Sequence, residues 1–212
     1  MKLSILTVTR AEPHTARFLR HFRAVADMLS AELVVAVDRA PRPDCHADRY
    51  VAVEASGAIE DVLVQAHAAC SGDYVLRMDD DETLCPMAIL ALSKWCSVES
   101  DSKLYAFRRA NLWGDQWHAI SSGSLFPDPQ SRLMPRERET RTSVHEGFSF
   151  DGLFPGLILH HKFLIKSHAE RAMVAARYES KKAGCGSGHY LQFSVPEDCF
   201  RQIETFPVRG IV

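Results

Sequence analysis

Short, near-continuous apolar runs alternate with segments of helical periodicity in the first half of the chain. Residues 3–9, 32–38 and 73–79 each have the length of one strand, and residues 13–30 repeat large apolar side chains at helical spacing. Strands that are covered by helices on both faces are apolar almost throughout, whereas half-solvated strands alternate. The order therefore predicts an α/β fold, with a mostly parallel central sheet flanked by helices.

The second half of the chain has a different texture. The first half also contains a predicted strand at 50–53 and predicted helices from 56 and from 86 to about 96. After Lys103, short strands are predicted at 105–113, 117–121, 131–135, 142–150 and 157–161, with no helices between them. Ser167 and Glu170 have the spacing of a capping box, which predicts a C-terminal helix that ends before Gly184. We therefore expect a smaller, mixed β second half, this helix, and a partly disordered tail at 184–212.

Composition excludes several classes of protein. The 212 residues carry a net charge of −2, which gives no general attraction to nucleic acid or to anionic membranes. No apolar stretch approaches the roughly 20 residues that span a bilayer, and the opening residues lack a signal-peptide cleavage site. The six cysteines form no Cys-x-x-Cys pair, so we expect reduced thiols and no zinc site. These features predict a cytoplasmic protein, peripheral to the membrane at most.

Four consecutive carboxylates, residues 79–82, follow the apolar strand at 73–79 directly. Clustered acids at the end of a buried strand place hard oxygen ligands where α/β folds bind their substrates. Adjacent negative charges repel one another unless a cation or solvent relieves them. The segment therefore predicts a Mg²⁺ or Mn²⁺ site, and a solvated acidic turn is the alternative.

Several motifs, in order along residues 1–180, carry a family resemblance. They are LSILTVTR, VVAVD, GDYVLRMDDDE, FRRANLWGD, DPQSRLMPRE, VHEGF and LILHHKF. With them the chain resembles the family 2 glycosyltransferases that have the type A, Rossmann-like nucleotide-sugar-binding fold. The resemblance implies one domain over 1–183, with a nucleotide-binding half (1–102), an acceptor and catalytic half (103–166) and the helix at 167–183. It also implies that an acceptor-binding module of longer members is missing here.

The resemblance assigns most of the site to strand ends. It matches the family's Asp-x-Asp metal motif to the three aspartates at 79–81, with Asp81 as the direct metal ligand and Asp79 on the ribose or the metal shell. The residues that it implies for the nucleotide-sugar are Thr7, Thr9, Arg10, Asp38, Asp79, Asp80 and Arg132. Asp38 is followed by Arg39 and Ala40, which departs from the family's usual continuation at the nucleoside.

Two further roles complete the implied site. An inverting transferase needs a carboxylate that removes the proton of the acceptor hydroxyl, and Glu146 and Asp128 are the two candidates. A late histidine reaches the metal or diphosphate in many type A enzymes, and His161 or its neighbour His160 matches it. Alternation along a strand implies that only one of the two histidines faces the site.

The implied activity is metal-dependent transfer of a sugar from a nucleotide-diphosphate donor, with a UDP-sugar as the default. The acceptor would be a glycan or a lipid-linked hydroxyl, as in the biosynthesis of cell-surface polysaccharides. Two alternatives remain. Residues 78–83 also match the signature of haloacid-dehalogenase-type phosphatases, with Asp79 as nucleophile and Asp81 as acid/base. A non-catalytic relative that only binds a nucleotide or glycan is the other.

Overall fold

The computed structural model describes residues 1–56, 58–98, 102–121, 125–138, 149–184 and 204–208. The strands are β1 (Leu3–Thr9), β2 (Glu32–Asp38), β3 (Arg49–Val53), β4 (Tyr74–Asp79), β5 (Glu82–Leu84), β6 (Tyr105–Asn111), β7 (His118–Ile120), β8 (Asp128–Pro135), β9 (Gly152–His160) and β10 (Thr205–Pro207). The helices are α1 (Thr15–Leu29), α2 (Leu63–Ala68), α3 (Pro86–Trp95), α4 (Lys162–Ile165) and α5 (His168–Lys181), and a 3₁₀ turn at Ile59–Val62 precedes α2.

Eight strands form one sheet in the order β3-β2-β1-β4-β8-β6-β9-β5. The first four are parallel to one another, as the apolar runs predict. Strand β8 pairs antiparallel with both β4 and β6, and β9 pairs parallel with β6 and antiparallel with β5. The second half of the chain therefore extends the same sheet with a mixed set of strands.

Alternate residues of the parallel strands supply two apolar layers. The odd-numbered residues of β1, such as Ile5, pack with Phe18 of α1 and Leu92 of α3 on one face of the sheet. The even-numbered residues, such as Leu6, pack with Leu63 and its neighbours of α2 on the other face. Because both faces are covered, polar groups of these strands reach solvent only at the strand ends.

Strand β9 bends where it crosses the start of α3. Its register against β6 shifts between Ala106 and Arg108, and Gly156 has a φ of +89°. A Cβ atom at this glycine would lie 2.5 Å from the backbone nitrogen of Ala88. The bend therefore lets helix and strand approach closely, and it carries β9 onward to β5 beside the acidic turn.

The helices and the other long strands lie near their predicted positions, but most of the strand predicted at 142–150 lies outside the described residues, and β9 begins at Gly152 and not at 157. The helix predicted from 56 begins only at Ile59, as a 3₁₀ turn. Ser167 and Glu170 form the predicted capping box of α5. Residues 205–207, in the predicted tail, pair with β7, and the sequence gives no sign of that strand or of β5. The cysteines at 45, 70, 85 and 96 are free, as expected. In the described ranges, no helix is long and apolar enough to cross a bilayer.

Candidate active site

A crevice opens at the carboxyl ends of β1 and β4. These strands are neighbours, but the chain continues from β1 to β2 and β3 on one side and returns to β4 on the other. Such a switch point leaves a gap between the loops that follow the two strands, and α/β sheets bind their ligands there. The hydroxyl of Thr9, at the end of β1, donates to Asp80 Oδ2 at 2.5 Å across this gap. The acidic turn thus lies where the sequence predicts a site.

The first carboxylate of the turn, Asp79, forms an ion pair with a fully buried arginine, and its own side chain is 25% exposed. Asp79 Oδ1 lies 3.2 Å from Arg132 Nη1, and Oδ2 also accepts from the same guanidinium. Burial alone would raise the pKa of Asp79, but Arg132 and Arg77 outweigh it and hold the pKa well below its usual value. Asp79 is therefore a charge that Arg132 already compensates.

Arg132 begins a chain of buried charges that ends at Asp128. Its guanidinium also donates to Glu82 Oε1 at 2.6 Å, and Arg109 Nη1 lies 3.3 Å from the same oxygen. Arg109 in turn donates through Nε to Asp128 Oδ2 at 2.8 Å, while Gln130 donates to Asp128 Oδ1 at 2.7 Å. Arg109 lowers the pKa of Asp128 against the raising effect of burial. Both oxygens of Asp128 thus accept hydrogen bonds and its pKa is lowered, which makes Asp128 a poor candidate for a general base.

Asp80 has no cationic hydrogen-bond partner among the described residues. It accepts from the hydroxyls of Thr9 and Thr15, at 2.5 and 3.2 Å. Burial, together with the charge of Asp81, raises the pKa of Asp80 to about 7. Its contacts join the acidic turn to the start of α1, so Asp80 links the two loops of the crevice.

Asp81 is buried and faces basic side chains. Its carboxylate Oδ1 lies 3.4 Å from His160 Nε2, and the side chain is 6% exposed. Burial would raise the pKa of Asp81, but His160, Lys162 and Lys166 hold it well below its usual value. Burial lowers the pKa of His160 to about 3, against the raising effect of the Asp81 carboxylate. Lys166 also forms an ion pair with Glu12 at 3.1 Å.

The two adjacent histidines have different surroundings. His160 is the last residue of β9, and its Nδ1 lies 2.6 Å from Asn111 Oδ1. His161 lies outside the strand, with Nε2 at 2.9 Å from the hydroxyl of Thr83 and its ring edge-on against Phe18. The structure therefore brings the ring of His160, and not that of the predicted metal ligand His161, to the carboxylate of Asp81. The strand pairing explains the difference, because Glu82 of β5 is opposite His160 in the register.

A cavity of about 400 Å³ opens beside the crevice, at the ends of β2 and β3. It is lined by Arg10, Asp38, Arg39, Ala55, Ser56 and Arg177. Asp38 is buried; its Oδ2 accepts from Arg10 Nε at 2.8 Å and its Oδ1 from the backbone N–H of Ala55 at 2.9 Å. Lys181 of α5 bonds Ser56 at 3.1 Å, which holds the helix that carries Arg177 over the cavity. The lining has three guanidinium groups to one carboxylate, so it favours an anionic or acceptor-rich ligand.

The site offers only a few side chains that could bind a metal ion. Among the residues that the structure describes, no group of three or more His, Cys, Asp and Glu side chains could hold a metal ion. Asp81 and His160 nevertheless present one oxygen and one nitrogen, 3.4 Å apart. Transition-metal dications accept both donor types, and such ions commonly complete their shells with ligand oxygens and water. The pair would supply two ligands to a divalent cation and leave its other positions to water or to the oxygens of a bound molecule.

The remaining predicted residues are distributed unevenly. Thr9, Arg10 and Asp38 lie around the crevice and cavity, whereas Thr7 is fully buried in the sheet. Glu146 lies outside the described residues.

Sequence reasoning missed Asn111, Lys166 and Arg177. The only signal for Arg177 was its place in the C-terminal helix. Asn111 and Lys166 gave none, because their roles depend on strand pairing.

The phosphatase alternative conflicts with the geometry. Its nucleophile would be Asp79, whose two oxygens both accept from Arg132. A carboxylate that attacks phosphorus needs an oxygen directed at the substrate. Because Arg132 binds both oxygens of Asp79, neither oxygen is directed at a substrate.

Comparison with known proteins identifies the fold. No protein-family model matches the chain, and no curated protein matches it in sequence. The structure is similar to S. aureus TarS, with a TM-score of 0.53 and 12% identity over 96% of this chain and 46% of that chain. It thus spans about half the length of TarS. This likeness confirms the predicted fold class, the type A glycosyltransferase fold with a mostly parallel sheet.

Two weaker likenesses accompany it. The S. aureus TarS fragment 1–349 in complex with UDP-GlcNAc has a TM-score of 0.47 and 10% identity, over 92% of this chain and 74% of that chain. A 2-C-methyl-D-erythritol 4-phosphate cytidylyltransferase from Thermus thermophilus has a TM-score of 0.38 and 16% identity, over 92% of this chain and 87% of that chain. At these TM-scores neither adds to the argument for the fold.

Proposed function

We propose that the protein is a metal-dependent glycosyltransferase that moves a sugar from a nucleotide-diphosphate donor to a hydroxyl acceptor. The observation that carries this proposal is the placement of two features at neighbouring strand ends of one sheet, an arginine-lined cavity at the ends of β2 and β3 and the Asp81–His160 pair in the turn after β4. A nucleotide-sugar has matching parts, because a nucleoside and a sugar flank its diphosphate. The TarS crystals with UDP-GlcNAc make UDP the donor nucleotide to test first.

The nucleoside end of the donor belongs in the cavity. Arg39 and Arg177 offer guanidinium donors to the carbonyl oxygens of a base or to ribose hydroxyls. Arg10 and the N–H of Ala55 hold the carboxylate of Asp38 in place. That carboxylate keeps lone pairs for an N–H or hydroxyl of the nucleoside.

The diphosphate end belongs beside Asp81. When bound, a divalent cation would neutralise the charge that develops on the diphosphate as the glycosidic bond breaks, and Asp81 and His160 would hold it. Lys162 and Lys166 add positive charge on the same side, since both act on Asp81 electrostatically. Positive groups fixed in a buried site stabilise a leaving anion more than groups that must reorganise.

The acceptor end is assigned by elimination between the two candidate bases. Asp128 is held by Arg109 and Gln130, so Glu146 remains the proposed base that takes the proton of the acceptor hydroxyl. A glycan or lipid-linked acceptor in cell-surface polysaccharide biosynthesis is the proposed context.

Calorimetric titration with UDP, with and without MnCl₂, tests the proposal. The wild type should bind UDP more tightly with Mn²⁺, and Asp81→Asn should lose that enhancement while keeping its fold. The matched control is Asp115→Asn, which removes an exposed carboxylate paired with His118. Incubation with a panel of UDP-sugars should then release UDP. Binding without UDP release from any donor would favour the non-catalytic relative, and no nucleotide binding at all would overturn the proposal.

A further inference from the structure

The orientation of the Asn111 side chain is fixed by a carbonyl group. Asn111 is fully buried, and its Nδ2 donates to the backbone oxygen of Leu125 at 2.9 Å. A carbonyl oxygen only accepts, so the NH₂ end of the amide must face Leu125. The Oδ1 end therefore faces His160, whose Nδ1 lies 2.6 Å away.

This orientation determines which nitrogen of His160 carries the proton. An amide oxygen only accepts, so Nδ1 must be the donor in this short hydrogen bond. A neutral imidazole carries one ring proton, so that proton lies on Nδ1 and Nε2 keeps its lone pair.

The lone pair of Nε2 points at another acceptor. Nε2 is buried, has no hydrogen-bond partner in the described part of the chain, and lies 3.4 Å from Asp81 Oδ1. Two acceptors that face each other in a buried site repel, and an unpaired buried acceptor is destabilising. A cation between them would remove both penalties.

Strand pairing holds the arrangement in place. Asn111 of β6 is opposite His160 of β9 in the parallel register, and the N–H of Leu112 donates to the carbonyl oxygen of His160 at 3.0 Å. Two adjacent strands of the sheet thus carry the amide of Asn111 and the ring of His160. Metal-binding histidines almost always donate their second ring N–H to such a partner, which fixes the ring and its tautomer.

We infer that Asn111 is a positioning residue: it fixes His160 as the Nδ1–H tautomer, so that Nε2 and Asp81 offer a mixed nitrogen and oxygen site that prefers Mn²⁺ to Mg²⁺. The inference rests on the proposed function for the presence of a cation. Imidazole nitrogen suits transition-metal ions, whereas Mg²⁺ takes oxygen ligands, which gives the preference its chemical basis.

The tautomer can be read directly in the metal-free protein. Nitrogen NMR of ¹⁵N-histidine-labelled wild type should show Nδ1 protonated and Nε2 unprotonated in the ring that disappears in His160→Gln. Asn111 is the only asparagine in the sequence, so selective ¹⁵N-asparagine labelling gives one side-chain amide signal that reports its hydrogen bonds. In Asn111→Leu, which removes both bonds, proton density should move to Nε2.

Mn²⁺ affinity, measured by electron paramagnetic resonance with UDP present, tests the consequence. Asn111→Leu should lose about 10- to 100-fold in Mn²⁺ affinity, the usual effect of removing such a partner, and less in Mg²⁺ affinity. Asn111→Asp keeps an acceptor at Nδ1 and should stay within a few-fold of wild type. Gln130→Leu removes an amide that bonds Asp128 and not His160, so it should change neither affinity.

The outcomes separate the two proposals. If Nε2 carries the proton in the wild type, or if folded Asn111→Leu binds Mn²⁺ as the wild type does, the role of Asn111 is overturned and the proposed function stands. If Nδ1 is protonated but no Mn²⁺ binds with or without UDP, the metal-dependent function and the cation site fail together. Circular dichroism and thermal unfolding of each variant show whether it is folded.

Discussion

Arg132 is the residue on which most of the buried charge depends. It is fully buried and pairs with Asp79 and Glu82, whose own side chain is also fully buried. The attraction and hydrogen bonds between these groups offset the cost of removing them from water, so the intact network adds little net stability. Removing one partner costs much more, because a buried charge is then left uncompensated. The charge network is therefore a rigid support beneath the acidic turn, and its other end holds Asp128.

Replacing Arg132 should destabilise the fold strongly. Arg132→Met removes the guanidinium that binds both oxygens of Asp79 and leaves the fully buried Glu82 with Arg109 alone, and breaking a buried pair costs about 3–5 kcal/mol. The matched control is Arg108→Met, because Arg108 is exposed on the neighbouring strand β6, where substitutions change stability by about 0.5 kcal/mol or less. Urea unfolding measures both. Equal losses in the two variants would show that the network does not support the fold.

Glu146→Gln should slow transfer without weakening donor binding. The amide keeps the shape of the side chain but cannot take the acceptor proton, and a general base contributes about 100- to 10,000-fold to rate. We expect transfer to fall at least about 100-fold, with UDP-sugar affinity within a few-fold of wild type. Steady-state kinetics with separate donor titration measure both. Asp128→Asn is the comparison, and if it alone slows transfer, Asp128 is the base.

Sequence reasoning located the site residues better than their partners. The acids at 79–81 follow from the apolar strand before them, because the strand end sets their position. The ion pair between Arg132 and Asp79 depends on the register of β8 against β4, which no local sequence pattern specifies. Alternation predicts that one of two histidines faces the site, but which one depends on where β9 ends.

Among the elements, β9 packs closely against helix α3. At Gly156 an added methyl group would meet the backbone and Cβ of Ala88 at 2.5–2.7 Å, so α3 or β9 would have to move. The strand also ends at His160, opposite the acidic turn. The position of this strand thus affects both the core and the site.

Gly156→Ala should cost more than its positive φ alone explains. The backbone strain of an alanine with positive φ costs about 1–2 kcal/mol, and overpacking typically adds 1–3 kcal/mol. Gly114→Ala is the control, because Gly114 also has a positive φ, +74°, but open space at the Cβ position. Chemical denaturation should show the larger loss for Gly156→Ala. A loss equal to that of Gly114→Ala would mean that helix and strand separate without penalty.

Glu32 joins the starts of β1 and β2 to the loop before β4. Its Oε2 accepts from Ser4 Oγ at 2.6 Å and from the N–H of Ser71 at 2.7 Å. Burial would raise the pKa of Glu32, but these hydrogen bonds and Arg49 lower it below the usual 4.5. A depressed carboxyl pKa stabilises the fold above the unfolded pKa, and the contribution is lost as the pH falls.

Glu32→Gln should therefore be destabilised at pH 7 and nearly neutral in acid. Hydrogen bonds to a charged group contribute about 1.5–3 kcal/mol, so we expect a loss of about that size at pH 7. The difference from wild type should shrink as the pH falls through 4.5. Urea unfolding from pH 7 to pH 3 measures it, with the exposed Glu54→Gln as control. A difference that does not change with pH would contradict the ionic role.

Short elements limited what the sequence could predict. Apolar runs of six or seven residues specify β1, β2 and β4, and the capping box specifies the start of α5. Strands β5 and β10 have three residues each, too few to show a period. They form because neighbouring strands present unpaired edges, which is a property of the assembled sheet.

At the scale of the whole molecule, one sheet carries both parts of the proposed site. Strands β1 to β4 supply the switch point, the cavity wall and the acidic turn, and β6 and β9 supply Asn111 and His160. Helix α5 reaches back across the cavity through the Lys181–Ser56 bond. A donor that filled the crevice would therefore contact both halves of the chain at once.

A crystal of the protein grown with UDP and MnCl₂, measured at the manganese absorption edge, tests the central claim most directly. We expect an anomalous peak between Asp81 and His160, diphosphate oxygens bound to the ion, and the nucleoside in the cavity of Arg10, Asp38 and Arg177. A manganese peak away from Asp81, or a nucleoside bound outside that cavity, would contradict the account.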